Sequence, residues 1–162
     1  MITLSRGPEG LYRLTAEMWL PRRRDEVFAF FGDARNLETI TPPWLQFKIL
    51  TPGQIELKPG ALLDYRLKIR GIPVRWQTVI MAWEPPHRFV DRQRRGPYRV
   101  WLHEHTFEER DGGTLARDVV DYDMPLAWLL HPLMIKRDIM RIFQYRQEKI
   151  QAMFGAAGKS TA

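Results

Sequence analysis

An α+β fold, in which one curved antiparallel sheet wraps around a long C-terminal helix, is predicted by three features of the sequence. A run of strict alternation at Tyr12–Leu20 precedes two short helical patterns. Six more alternating runs follow, parted by compact turns, and a long apolar stripe at helical spacing closes the chain.

In the first strand Tyr12, Leu14, Ala16, Met18 and Leu20 share one face, and Arg13, Thr15, Glu17 and Trp19 the other. Pro21 ends it. Arg24–Phe31 reads as a short helix with Val27 and Phe31 four apart, and a second helical turn covers 34–40 before Thr41-Pro42-Pro43 stops it. Strands are then expected at 46–50, 61–70, 74–83, 89–93, 99–107 and 114–122, making seven in all. Their separators include Pro52-Gly53, Gly71-Ile72-Pro73 and Asp111-Gly112-Gly113, short enough to join antiparallel neighbours. The last element, 129–154, carries Ile135, Ile139, Ile142, Phe143, Ile150, Met153 and Phe154 in one stripe. A lone sheet must cover its apolar face, and only this helix is long enough to do so.

Bulk properties narrow the function classes. At 162 residues and 44% hydrophobic, residues 1–154 suffice for one domain, with 155–162 as a flexible tail. There is no cysteine, which excludes disulfides, zinc–thiolate sites, thiol nucleophiles and iron–sulfur ligation. Arg6, Glu9, Arg13 and Glu17 break up the start of the chain, so no signal peptide is expected and a cytoplasmic location is. No stretch reaches the roughly 18 apolar residues of a membrane span. The net charge of +6 is concentrated at Arg22, Arg23 and Arg24 and at Arg92, Arg94, Arg95 and Arg99. Both clusters occupy solvent-facing places, and no basic helix or RNA motif accompanies them, so no nucleic-acid partner is expected. Oligomeric state has no signature in the sequence.

The element order, together with particular segments, resembles the SRPBCC superfamily of START-like lipid carriers and polyketide cyclases. The segments are Pro21 with Val27-Phe28 and Phe30-Phe31; Asn36-Leu37; Ile40-Thr41-Pro42-Pro43-Trp44-Leu45; Arg70-Gly71-Ile72-Pro73 with Trp76; Gly96-Pro97-Tyr98 with Trp101, His103, His105 and Phe107; and Ile142-Phe143 with Tyr145-Arg146. They are similar to one bacterial ligand-binding branch. The resemblance implies a helix-grip fold enclosing a cavity for a small hydrophobic or amphipathic molecule. It implies no single activity, because the superfamily holds carriers, cyclases, oxygenase domains and stress-response proteins. The Rieske cysteines of the oxygenases are absent.

Strand parity selects the inward side chains. Leu63, Tyr65, Leu67 and Ile69 must face in, opposite Asp64, Arg66, Lys68 and Arg70. The same test gives Trp76, Thr78 and Ile80; Phe89, Asp91 and Gln93; Trp101, His103, His105 and Phe107; and Ala116, Asp118, Val120 and Tyr122. The candidate ligand-binding residues are therefore Tyr65, Trp76, Asp91, Gln93, Trp101, His103, His105, Phe107, Asp118 and Tyr122. Arg146 joins them because it interrupts the helix stripe midway between Ile142 and Ile150; it reads equally as neutralising Asp91 or Asp118 or binding a ligand carboxylate, or as a stem that snorkels to water.

In a meander the strand of His103 and His105 is flanked by those of Asp91 and Asp118, so carboxylates are expected on both sides of the imidazoles. The group reads equally as a ligand contact or as a closed polar network that pins register. His103, His105, Asp118 and Tyr122 are the candidates for acid–base catalysis, as a cyclase or dehydratase would need. No metal is expected, since a third ligand beside His103 and His105 is not evident, and no cofactor motif is present. His87 and His131 sit beside prolines and read as loop residues. The leading reading is a carrier or sensor of a small hydrophobic molecule with a polar end. Its alternatives are a cyclase-like enzyme and a protein-interaction module acting through the basic surface.

Overall fold

The computed structural model describes residues 1–155. Eight strands form one antiparallel sheet: β1 (Ile2–Arg6), β2 (Tyr12–Leu20), β3 (Lys48–Ile49), β4 (Leu62–Ile69), β5 (Ile72–Glu84), β6 (Arg88–Arg95), β7 (Val100–Arg110) and β8 (Gly113–Asp123). Their spatial order is β1-β2-β8-β7-β6-β5-β4-β3, so the meander from β3 to β8 is completed by β2 and β1 on its far side. Helices α1 (Arg24–Phe31) and α2 (Asn36–Ile40) follow β2. After β8 come α3 (Ala127–Leu130), a π-helical turn (His131–Ile135) and α4 (Lys136–Phe154). This is the helix-grip arrangement.

The count is eight strands rather than seven. The additional strand β1 holds only Ile2 and Leu4 as inward apolar positions, too short a run for alternation to mark it. It exists because the free edge of β2 offers unpaired backbone groups, which it takes up from Ile2 opposite Ala16 to Arg6 opposite Tyr12. Near β3 the expected strand shrinks to two residues, because a 3-10 turn at Pro43–Leu45 runs into Gln46 in the left-handed region.

The C-terminal helix is not uniform from 129 onward. The wide turn at His131–Ile135 contains Pro132, which has no amide hydrogen to continue an α-helical ladder. From α4, Ile139, Phe143, Ile150 and Phe154 are buried, and Ile135 joins them from the preceding turn. Met153, expected in the same stripe, is exposed. Of the expected tail, all but Gly155 lies outside the described residues.

Packing divides the interior. At one end α1 and the last turns of α4 close on Met18, Leu20, Phe28, Phe31, Phe89 and Phe107, and at the other Ile135, Ile139 and Phe143 cover Leu14, Ala16, Val120 and Tyr122. A smaller cluster of Leu45, Leu67 and Trp76 lies under the 43–45 turn. Two register shifts in the β5–β6 pairing, between Gln77 and Thr78 and between Ile80 and Ala82, mark the bulges that bend the sheet. Among the described residues no helix is long and apolar enough to cross a membrane.

Candidate functional site

Between the concave face of the sheet, α2, the 43–45 turn and α4 lies a cavity of about 700 Å³. Organic-ligand sites typically measure about 300–1,000 Å³. Of the candidate ligand-binding residues, Tyr65, Trp76, Asp91, Trp101, His103, His105 and Arg146 line it.

One wall is aromatic. The rings of Tyr65 and Trp76 stack with centroids 5.9 Å apart, and Trp76 meets Trp101 edge-on at 5.3 Å. Thr78 anchors this pair from β5, since its Oγ1 accepts the Trp76 Nε1–H at 3.1 Å and lies 3.2 Å from the Tyr65 hydroxyl. Burial pushes the Tyr65 phenol above its ordinary range, so it stays neutral.

Phe47 and Tyr98 complete the wall and were not among the expected residues. Tyr98 sits 4.7 Å from Trp101, and Phe47 sits 4.7 Å from Tyr65. The β6–β7 turn is folded inward by Gln93, whose Nε2 donates to the Tyr98 carbonyl at 2.6 Å while its Oε1 accepts the Tyr98 amide at 3.2 Å. A Cβ at Gly96 would push the Gln93 side chain aside and disrupt its two bonds to Tyr98. Gln93 therefore shapes the wall instead of lining it. The Gly96-Pro97 turn was the only sequence signal that this segment could bend back.

The polar wall is built by cross-strand register. Asp91 on β6 lies opposite His103 on β7, and His105 lies opposite Asp118 on β8. The diagonal neighbours also approach, as alternate side chains on one sheet face do. Asp91 Oδ2 is 3.2 Å from His105 Nε2 and 3.8 Å from His103 Nδ1; Asp118 Oδ1 is 2.6 Å from His105 Nδ1 and 3.3 Å from His103 Nε2. The two imidazoles lie in contact, with centroids 3.8 Å apart and their planes tilted by 34°. The expected carboxylates on both sides are thus in place. Asp118 stands behind the histidines, outside the cavity lining, and Asp91 faces the cavity beside them.

The two imidazoles differ in proton affinity. Burial and the neighbouring His105 hold His103 below its ordinary pKa. Burial opposes protonation of His105 as well, but the nearby carboxylates of Asp118 and Asp91 overcome it and raise its pKa. Asp118 is buried, which works against its charge, yet the two histidines hold its carboxyl well below the usual carboxylate range. His105 therefore keeps a proton to higher pH than His103 does. A third ligand was not expected beside the His-x-His pair. The register corrects that, for donor atoms of Asp91, His103 and His105 all lie within 4.8 Å of one another.

Arg146 turns into the cavity from α4, with its guanidinium 5.3 Å from the Phe143 ring. Its Nε is buried and has no hydrogen-bond partner. Among the described residues it makes no ion pair within 4.0 Å, so the expected neutralisation of Asp91 or Asp118 by direct contact is not formed.

Phe107 and Tyr122 are placed elsewhere than expected. Phe107 packs into the core with Phe28 at 5.4 Å and Phe31 at 5.1 Å, beneath α1. The Tyr122 hydroxyl lies 2.9 Å from His131 Nε2, away from the cavity. His131 is buried and stacked at 3.6 Å on Tyr12, and is no loop residue. His87 lies exposed in the turn between β5 and β6, a loop residue as expected. The arginine clusters lie on the surface, where Arg23 faces Asp25 and Arg24 faces Glu109, each at 3.5 Å.

At one side of the mouth, Arg70 and Gly71 form the two-residue β4–β5 turn with φ of 50° and 83°. Arg70 donates from Nε and Nη2 to the Asp138 carboxylate at 2.7 and 3.0 Å, tying this turn to α4.

Fold and cavity together define a helix-grip protein with a ligand-sized interior. Over residues 20–148 the chain matches the family described as polyketide cyclase/dehydrase and lipid transport, and it belongs to that family. Family membership supports binding of hydrophobic ligands in general. No curated protein matches the chain. Among solved structures, Ms6760 from Mycobacterium smegmatis is 22% identical with a TM-score of 0.70, covering 94% of this chain and 97% of that one. CV1439 from Chromobacterium violaceum is 14% identical with a TM-score of 0.71, covering 90% and 98%. A START superfamily protein, also from M. smegmatis, is 10% identical with a TM-score of 0.65, covering 88% and 97%. These likenesses show the fold.

Proposed function

We propose that this protein binds one small amphipathic organic molecule, with a flat or acyl body along Tyr65, Trp76, Tyr98 and Trp101 and a polar end at Asp91, His103, His105 and Arg146. The observation that carries this reading is the unpaired, buried Nε of Arg146 beside an aromatic wall in a cavity of about 700 Å³. A buried donor without a partner costs about 1–3 kcal/mol, which an accepting oxygen of a ligand would recover. Native mass spectrometry of the protein purified from its own host tests it. A small molecule present in the intact mass and lost on Trp101→Ala, with the fold retained, is the expected result. An apo mass, together with unchanged tryptophan fluorescence on titration with aromatic, acyl and polyketide-like compounds, would overturn it.

A second reading, acid–base catalysis of the cyclase or dehydratase type, is favoured by one observation. His103 and His105 touch, yet their surroundings drive their proton affinities in opposite directions, which is how a site assigns an acid and a base. Loss of turnover with retained ligand affinity in His103→Gln would separate this reading from carriage.

A further inference from the structure

We propose that Asp91, His103 and His105 form a binding site for a first-row divalent transition ion such as Zn²⁺, with Asp118 as the carboxylate that orients both imidazoles. The site shares the cavity of the proposed organic ligand but needs no such ligand to form.

The donor set is two imidazoles and one carboxylate. Imidazole nitrogen selects zinc or iron-like ions over magnesium and calcium, which prefer oxygen throughout. Donors about 2.1 Å from one ion lie about 3.0–3.4 Å from each other in tetrahedral or octahedral geometry. Asp91 Oδ2 already lies 3.2 Å from His105 Nε2 and 3.8 Å from His103 Nδ1. Shifts of under about 1 Å, well within side-chain rotation, would bring the three to a common centre.

A second, independent observation comes from the other ring nitrogens. A metal-bound histidine almost always donates its remaining N–H to a carboxylate or carbonyl, which fixes tautomer and ring orientation. His103 Nε2 and His105 Nδ1 are buried with no hydrogen bond of good geometry, and both face the same oxygen, Asp118 Oδ1, at 3.3 and 2.6 Å. The 2.6 Å approach is poorly aimed along the N–H direction, which is why it makes no regular hydrogen bond. Rotation of the rings towards an ion on the Asp91 side would let Asp118 receive both protons. The inner donors and the outer orienting group are thus split across the histidines, one carboxylate on each side. Only the Asp91 side borders the cavity, so the remaining coordination positions open onto it. An ion there would act as a Lewis acid on an oxygen of the bound molecule and would leave Arg146 to meet a neighbouring anionic oxygen.

The test uses the full chain, freed of metal by chelation and dialysed, with Co²⁺ and Zn²⁺ as probes and no organic ligand. The expected result is one Co²⁺ per chain with visible d–d absorption, displaced by Zn²⁺. His103→Gln, His105→Gln and Asp91→Asn each abolish it, whereas His87→Ala leaves it intact. Asp118→Asn keeps the stoichiometry but weakens affinity by roughly 10–100-fold. X-ray absorption of the wild-type zinc form, which depends on no variant folding, should show two imidazole scatterers. A wild-type protein that binds no more Co²⁺ than the His103→Gln/His105→Gln double variant, or a zinc spectrum without imidazole, would overturn the site. Because no organic ligand enters these measurements, they fail or succeed independently of the proposed carriage.

Discussion

Asp118 Oδ1 on β8 lies 2.6 Å from His105 Nδ1 on β7, directly across the sheet, and both side chains are buried. Removing the carboxylate charge leaves two buried imidazoles facing an amide. Asp118→Asn is expected to lower unfolding free energy by about 1–3 kcal/mol in a denaturant titration. Full stability in that variant would mean that the histidines find other partners.

Tyr122 and His131 make a separate pair with its own pH dependence. Burial lowers the His131 pKa, and Arg6 and Lys136 lower it further, while Tyr12 stacks on the ring and the Tyr122 hydroxyl meets its Nε2. The unfolded chain takes up this proton near 6.5, before the folded one does. Stability from neutral His131 is therefore complete above that value and declines as pH falls towards the lowered folded pKa. Measured across that window, His131→Gln should show a shallower fall than the wild type. Tyr122→Phe should cost about 1 kcal/mol and leave ligand affinity unchanged.

Phe107 and Tyr98 should separate stability from binding. Phe107→Ala opens a hole beneath α1 and is expected to cost about 3–5 kcal/mol in thermal or chemical unfolding. Tyr98→Ala removes cavity wall from a turn held by Gln93 and should mainly weaken ligand binding, read by fluorescence titration.

Arg146→Ala should weaken a ligand that carries an anionic or carbonyl end by about tenfold or more, with partial recovery in Arg146→Lys. Its stability should fall only slightly, because the Nε has no hydrogen-bond partner to lose and the Phe143 contact is the loss expected. An affinity indifferent to both variants would assign the polar end to the histidines alone.

Arg70→Ala breaks the tie between the β4–β5 turn and α4. Stopped-flow mixing should show faster ligand association and dissociation with little change in equilibrium affinity, since both rates pass through the same opened mouth. Unchanged rates would place the entrance elsewhere.

What the sequence determined by itself is local and periodic. Alternation is a property of the extended backbone, so parity alone placed Tyr65, Trp76, Trp101, His103 and His105 on the concave face, and the 3.6-residue repeat identified the gripping helix. The meander made Asp91 and Asp118 neighbours of the histidine strand. Parity does not say how deep in the interior an inward residue lies. Phe107 and Tyr122 share faces with cavity residues but fall under α1 and beside His131, because the covering helices, not the strands, decide where the cavity ends. The tertiary structure alone decided the rest. Strand β1 forms because β2 has a free edge, and Tyr98 turns inward because Gln93 holds its backbone. Asp91 comes within reach of both histidines because the register between β6 and β7 sets it opposite one and diagonal to the other, a relation between strands that no single strand encodes.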